Sequence, residues 1–267
     1  MARVEEDEAV TFLAARPATT GIFTDFDGTL SLIVPDPEAA EPLPGALEAL
    51  QRLVARLARV AVVSGRPAGW LAARFAEKAG MERLELFGVH GLERWDGSAA
   101  RPVEAALPWI AALAQATAEA RAASVPGLVV EDKVFGVTFH WRRAGDPATA
   151  EAAGTALAHR LARATGLRER AGRASVELVP PVGIDKGTVV RERGAGLGRV
   201  AFLGDDVGDA CAFDALDDLE HGGSEVLRIA VWSPEVPDDL IERADLVLAG
   251  TEECVALLAR VGEAVER

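Results

Sequence analysis

Residues 21–30 read GIFTDFDGTL. A short apolar run, Ile22 and Phe23, leads into two aspartates one residue apart, and Gly28 and Thr29 close the stretch. On an unbroken strand Asp25 and Asp27 would point the same way, where two like charges disfavour each other. The stretch therefore reads as the end of a buried strand that opens onto a site able to offset their charge.

Similar apolar runs occur at RVAVVS (59–64), ERLELFG (82–88), RVAFLG (199–204), LRIAVW (227–232) and ADLVLAG (244–250). Their near-continuous apolar character suits strands buried on both faces. Helical patterns separate them, such as PGALEALQRLVARL (44–57) and PAGWLAARFAEKAG (67–80), each opened by a proline suited to a first turn. Strands alternating with helices imply right-handed crossovers and an α/β fold with a doubly wound, mainly parallel, Rossmann-like sheet.

Between the third and fourth of these strands the pattern changes. A long Ala-rich helical stretch (104–124) precedes LVVEDKVFGVTFHWRR (128–143), which alternates like a hairpin; a second helical stretch (149–166) precedes another candidate hairpin, LRERAGRASVELVP (167–180). This weak repeat of helix then hairpin predicts an inserted α+β domain over 104–181. The remainder, 1–103 and 182–267, forms the core, with Arg101, Pro102, Pro180 and Pro181 near the crossings.

The 267 residues are 49% hydrophobic, enough for a sizeable core and a smaller second domain. With 42 acidic against 28 basic residues the net charge is -14, and no basic stripe is present, so nucleic acid is not an expected partner. A phosphorylated ligand would be repelled at long range and would need local positive charge. Cys211 and Cys254 lie in no metal-ligand spacing and read as reduced thiols. The start, MARVEEDEAV, lacks the features of a signal peptide, and charges interrupt every Ala-rich segment. The expectation is a soluble, cytoplasmic protein without a membrane partner; no feature of the sequence indicates an oligomeric state.

Ligands of open α/β sheets bind outside the carboxyl ends of the strands. Those ends here carry TDFDGT, SGR, GVHG and GDDVGD in turn. Each alone reads as turn or cap chemistry, but together they converge. Asp25, Asp27, Asp205, Asp206 and Asp209 form a candidate carboxylate cluster that would repel itself unless it held a hard dication such as Mg²⁺, which would also attract phosphate. Lys186, in VGIDKGT (182–188), can neutralise the remaining charge, and Ser64 with the amides after it can hold phosphate oxygens at a helix N-terminus. Gly28, Gly65, Arg66, His90 and Gly91 are candidate substrate contacts, and the glycines of GVHG on both sides of His90 allow close backbone approach there. VGIDKGT lacks the order of a P-loop, no GxSxG is present, and GAGLG (194–198) reads as a flexible connection. His159 and His221 read as ordinary residues.

DFDGTL, Ser64, Lys186 and GDDVGD resemble the four motifs of the haloacid dehalogenase superfamily of phosphatases, and the insert is similar to that superfamily's C2-type cap. The combination with EDKVFGVTFHWR and VELVPPVGIDKG resembles more narrowly the trehalose-6-phosphate phosphatases, over nearly the whole chain after the first twenty or so residues. The resemblance implies a Mg²⁺-dependent sugar phosphatase in which Asp25 attacks phosphorus to form an aspartyl-phosphate, kept ionised by the metal and Lys186. Asp27 would bind metal through its backbone carbonyl, leaving its carboxyl free to protonate the sugar oxygen and then deprotonate water. Other readings are a phosphatase for a different sugar phosphate, of mannosylglycerate or sucrose type, a phosphoaspartate signalling module, and an inactive binding protein.

In the insert, Glu131, Lys133, His140, Arg142 and Glu177 are candidate sugar contacts. An unbroken strand would put Glu131, Lys133, Phe135, Val137 and Phe139 on one face and His140 and Arg142 on the other, unless Gly136 marks a turn and resets the register. The chain has no Tyr, which leaves Trp109, Phe135 and Trp141 as the aromatics expected to serve the sugar. It also departs from the family pattern at Gly208, Ala210 and Cys211 around Asp209, where acidic residues and Thr are common, and at Val179, where Arg is common.

Overall fold

The apolar run ahead of Asp25 forms a strand buried along its whole length, β1 (Thr20–Thr24). The computed structural model describes residues 4–76, 78–133, 135–172, 174–233 and 236–266. In chain order the strands are then β2 (Arg59–Val63), β3 (Glu85–Gly88), β4 (Glu93–Trp95), β5 (Ala100–Pro102), β6 (Val129–Asp132), β7 (Val137–His140), β8 (Arg168–Gly172), β9 (Ser175–Val179), β10 (Arg199–Gly204), β11 (Glu225–Val231) and β12 (Leu246–Leu248). The chain divides into two units, Met1–Arg101 with Ile184–Arg267, and Pro102–Gly183.

The first unit holds a sheet in the order β12-β11-β10-β1-β2-β3-β4-β5. Its pairings from β12 through β3 are parallel, and β4 pairs with β3 antiparallel. Alternation sends successive side chains to opposite layers. Ile22, Val60, Val62, Ala201 and Leu203 join one buried cluster with residues of the helices Glu6–Ala14, Ala46–Arg56, Ala68–Phe75 and Thr251–Val265. Phe23, Ala61, Val63, Val200 and Phe202 join another with residues of Lys186–Gly194, Ala210–His221 and Asp238–Arg243. The sheet is thus wound on both faces, as its apolar strands require. The helix Glu6–Ala14 and the short strands β4 and β5 lie outside the sequence expectation. Strands of three residues carry too little periodicity to be read.

From β1 the chain progresses outward to β2 and β3 on one side, while β10, β11 and β12 progress outward on the other. The β1/β10 boundary is therefore the point where strand order reverses, and the crevice beyond its carboxyl ends is the expected ligand position. Asp25 follows β1 and Asp205 follows β10.

The inserted unit is an antiparallel sheet in the order β6-β7-β9-β8 with the helices Ile110–Ala123 and Pro147–Thr165. The second helix starts where the Asp146 side chain accepts from the Thr149 amide and ends at Gly166, whose φ of 78° satisfies a left-handed cap. The unbroken-strand register is not what forms. The Lys133 amide donates to the Gly136 carbonyl across a turn, so Glu131 pairs with Thr138, and Val129 with His140. Paired residues share a face, which puts Glu131 and His140 together and sets Phe139 opposite them. Val134 and Arg173, within the two predicted hairpins, lie outside the described residues, as do the first three of the N-terminal MARVEEDEAV. No helix among the described residues is long and apolar enough to cross a membrane.

Candidate active site

Asp25 is held at the end of β1 by its amide, which donates to the Leu203 carbonyl of β10 at 2.9 Å. Its Oδ1 accepts from the Phe26 amide at 2.6 Å, and its Oδ2 lies 2.8 Å from Lys186 Nζ. Lys186 opens its helix behind Asp185, which caps it by accepting from the Thr188 amide. The ammonium also donates to Asp209 Oδ1 at 2.7 Å, while Asp209 Oδ2 accepts from the amides of Asp205 and Asp206. Asp209 is thus fully buried and ties the GDDVGD turn to the ammonium. Gly204, where a Cβ would stand 2.4 Å from the Asp209 carboxyl, and Gly187, where one would meet the Cys211 carbonyl at 2.2 Å, allow this close packing.

Asp25, Asp206 and Asp209 each bring a carboxylate oxygen within 4.8 Å of the others. Asp27 and Asp205 are not in that grouping. The Asp205 carboxylate accepts from Thr29 Oγ1 at 3.4 Å and sits beside Gly28. Burial pushes the Asp25 carboxyl well above the usual carboxylate range; Lys186 pulls it back, and Asp209, Asp206 and Asp205 push it up again. Burial also raises Asp209, and it takes Asp205 up to about 8, with help from Asp209 and Asp206. Burial is the larger influence on Asp25 and Lys186 opposes it, so the ion pair offsets only part of the lost hydration and leaves a share for the metal expected beside it. The donor set answers whether a metal fits: clustered oxygens, crowded negative charge and a single buried ammonium suit a hard cation.

Asp27 has a partner that its local sequence does not indicate: Arg66 Nε donates to Oδ2 at 2.7 Å and Nη2 donates to Oδ1 at 2.6 Å. A guanidinium fork matches a carboxylate in this way because its two N–H vectors are parallel. The turn after Asp25 separates the two aspartates. The Ser31 amide donates to Phe26 O, Gly28 N donates to Ser31 O, and Gly28 adopts φ 75°. The two carboxyls of GIFTDFDGTL meet different partners, Lys186 for Asp25 and Arg66 for Asp27.

Ser64 is buried at the end of β2, where its Oγ accepts from the Arg66 amide at 3.2 Å. The first amide of the helix that follows, Ala68, is already taken by the buried Glu93 carboxylate at 2.9 Å, so this helix N-terminus is not an open phosphate cradle at that amide. The GVHG loop lies against the same turn: His90 N donates to Ser64 O, Val89 N donates to Arg66 O, and a Cβ on Gly65 would meet His90 Nε2 at 2.9 Å. Val89 (φ 47°), His90 (φ 57°) and Gly91 (φ 104°) are all left-handed. Such a conformation is unusual for a β-branched residue and marks a constrained loop.

In the inserted unit, register aligns Glu131, Thr138, Glu177 and Arg170 in one row across the sheet. Lys133 Nζ lies 3.7 Å from Glu131 and 3.5 Å from Glu177; His140 Nε2 is 2.8 Å from Glu131; Thr138 Oγ1 donates to Glu177 at 3.2 Å; and Arg170 is 3.6 Å from Glu177. Arg142 is not part of this group and is exposed in the turn after β7. Phe135 and Trp141 are buried, Trp141 against Gly154, so these two pack the unit, while Trp109 lies beside Gly166 and is partly exposed. Thr138, Arg170, Thr29, Trp70 and Glu93 were missed by sequence reasoning. The first two become visible only once strand pairing is known.

A profile of the Trehalose-phosphatase family matches residues 23–239. The trehalose-phosphate phosphatase of Mycobacterium marinum is 40% identical over 213 residues, 75% of this chain and 52% of that protein. The chain spans about half the length of such relatives. Among solved structures, the C-terminal domain of the C. albicans trehalose-6-phosphate phosphatase superposes with a TM-score of 0.78 at 21% identity, covering 98% of each chain. A HAD subclass IIB sugar phosphatase gives 0.52 at 17% identity over 88% of this chain and 95% of its own, and both share the fold. The motifs at the β1/β10 reversal and the match across most of the sequence agree: this chain belongs to the trehalose-phosphatase family.

Proposed function

We propose that the chain hydrolyses trehalose 6-phosphate to trehalose and phosphate, with Mg²⁺ as cofactor. The observation that carries this reading is the buried Asp25–Lys186–Asp209 arrangement at the strand-order reversal of a trehalose-phosphatase-family chain. Asp25 Oδ forms the bond to phosphorus as the bond to the sugar oxygen breaks, giving an aspartyl-phosphate. The Asp27 carboxyl delivers a proton to the departing oxygen and then takes one from the water that cleaves the phosphoenzyme. Lys186 holds the Asp25 carboxylate in place and offsets charge as phosphate approaches. Mg²⁺ held by Asp25, Asp206 and Asp209 would supply further positive charge against the phosphate oxygens.

The inserted unit is read as a C2-type cap, with the row Glu131, Lys133, Thr138, His140 and Glu177 as the sugar-reading surface. The phosphoryl group is common to all phosphate monoesters, so discrimination falls to groups that hydrogen-bond hydroxyls and are left unpaired by the wrong sugar. The acidic chain supplies no basic surface for nucleic acid, and the reaction is assigned to the cytoplasm.

The test is phosphate release from a panel of sugar phosphates with Mg²⁺, using wild type and Asp25→Asn. Selective hydrolysis of trehalose 6-phosphate by wild type, lost in Asp25→Asn together with acid-stable labelling from ³²P substrate, is expected. Preference for a mannosylglycerate- or sucrose-type phosphate would reassign the substrate. Substantial turnover by Asp25→Asn would remove it as nucleophile.

A further inference from the structure

The Arg66 guanidinium is fixed on three sides. It forks Asp27 through Nε and Nη2, its Nη1 donates to the Pro37 carbonyl at 2.7 Å, and its carbon lies 4.5 Å from the centre of the Trp70 ring. Trp70 is itself held. Phe26 meets it edge-on at 5.3 Å, the Arg74 guanidinium stacks at 3.4 Å, and its Nε1 donates to Glu38 Oε2 at 3.1 Å. Arg74 also donates to the carbonyls of Glu38 and Ala40, pinning the same turn. At the backbone, Arg66 N donates to Ser64 Oγ and Arg66 O accepts from Val89.

We propose that Arg66 is the positioning residue of the acid/base Asp27, and that Trp70 and the Pro37–Glu38 turn form the seat that fixes it. The inference rests on the reaction proposed above and replaces the direct substrate contact expected for Arg66 from sequence. A general acid works only when its oxygen stands within hydrogen-bond reach of the leaving atom, and its contribution falls with misplacement. A bidentate fork sets both the place and the plane of the carboxyl, which a monodentate ammonium cannot reproduce. Asp27 lies within the tight turn that follows its strand, between Phe26 and Ser31, and Arg66 bonds both oxygens of its carboxyl.

The test is a double-mutant cycle between Arg66→Lys and Asp27→Asn, with single-turnover and steady-state phosphate release from trehalose 6-phosphate. p-Nitrophenyl phosphate, whose phenolate leaves without a proton, serves as the second substrate. In the wild-type background Arg66→Lys should lower kcat/KM for the sugar phosphate by about tenfold or more, part of the roughly 10²–10⁴-fold that a positioned acid contributes. In the Asp27→Asn background the same change should cost less than about twofold, because residues that act as a unit are not additive. For the p-nitrophenyl ester, kcat/KM, which ends at phosphoenzyme formation and needs no proton on the leaving group, should change by less than about twofold in either background. Its kcat, which includes the Asp27-assisted attack of water, should fall in the wild-type background. Trp70→Leu, checked with Arg66→Lys for an unaltered circular dichroism spectrum, should give a smaller loss of the same pattern. Equal losses of kcat/KM in both backgrounds, equal losses of kcat/KM on both substrates, or no loss at all overturn the inference. A rise in KM at constant kcat would instead return Arg66 to substrate binding. Wild-type protein that releases phosphate from neither compound overturns the phosphatase reading, and this inference with it.

Discussion

Lys186 Nζ stands 2.8 Å from Asp25 Oδ2, with both side chains buried, and it also pairs with the buried Asp209 at 2.7 Å. Removing one partner of such a group leaves buried charge without compensation, which costs far more than the pair contributes net. Lys186→Met should therefore lower unfolding free energy by about 3–5 kcal/mol and abolish phosphate release. Urea titration in EDTA checks the first and an end-point phosphate assay the second. A stable but inactive variant would mean that protonation of Asp25 or Asp209 relieves the site.

The carboxylate cluster makes a signed statement about pH. Asp205 is pushed up to about 8, against 3.8 when unfolded, so the native chain binds more protons than the unfolded one between those values. Stability then falls as pH rises through that window. Asp25 and Asp209, raised by burial, act in the same direction. Lys186, raised above its ordinary 10.5, contributes fully below that value and loses its contribution only at higher pH. In EDTA the Tm should be lower at about pH 8 than at about pH 5.5. Mg²⁺, which binds the deprotonated carboxylates, should raise Tm more at the higher pH. Asp205→Asn should flatten the EDTA profile. A metal-free Tm that rises between those pH values would contradict the assignment.

Much of this was legible in the sequence for physical reasons. Strands buried on both faces must be apolar throughout, which is why GIFT, RVAVV and RVAFLG stood out and why their polar endings marked one end of the sheet. That Lys186 would serve the carboxylate cluster followed from charge balance, since the clustered aspartates need a nearby cation. What was not legible depends on pairing and on side-chain reach. The face shared by Glu131 and His140 is set by the turn at 133–136, since a single residue of slip inverts every side chain. The fork between Asp27 and Arg66 spans 39 residues of sequence and has no periodic signature. The state of Asp25 depends on the depth of burial, which no local motif encodes.

Gly28 is required twice over, by its φ of 75° and by a Cβ position only 2.0 Å from Asp205 Oδ2. Gly28→Ala should destabilise the chain by about 1–3 kcal/mol and displace Asp205 from its place beside the cluster. Gly97 (φ 97°) has no atom within 4 Å of its would-be Cβ, so Gly97→Ala reports backbone strain alone. Only the Gly28 variant should also lose the Mg²⁺-dependent rise in Tm. An equal Mg²⁺ response in both variants would show that the contact with Asp205 is immaterial to the metal site.

Lys133 separates a sugar-reading role from a structural one. Its ammonium lies between Glu131 and Glu177, at 3.7 and 3.5 Å, and is itself largely buried. Glu177 keeps Thr138 and Arg170 when Lys133 is removed, so the sheet retains a charge partner for its most buried carboxylate. Lys133→Ala should therefore change Tm little. A hydrogen bond from a charged group is worth about 1.5–3 kcal/mol, so loss of a sugar contact should raise KM for trehalose 6-phosphate by about tenfold or more. The p-nitrophenyl ester, which has no sugar, should keep its kcat/KM within about twofold. Parallel loss on both substrates would mark Lys133 as structural, and unchanged kinetics on trehalose 6-phosphate would remove this row of side chains from the sugar site.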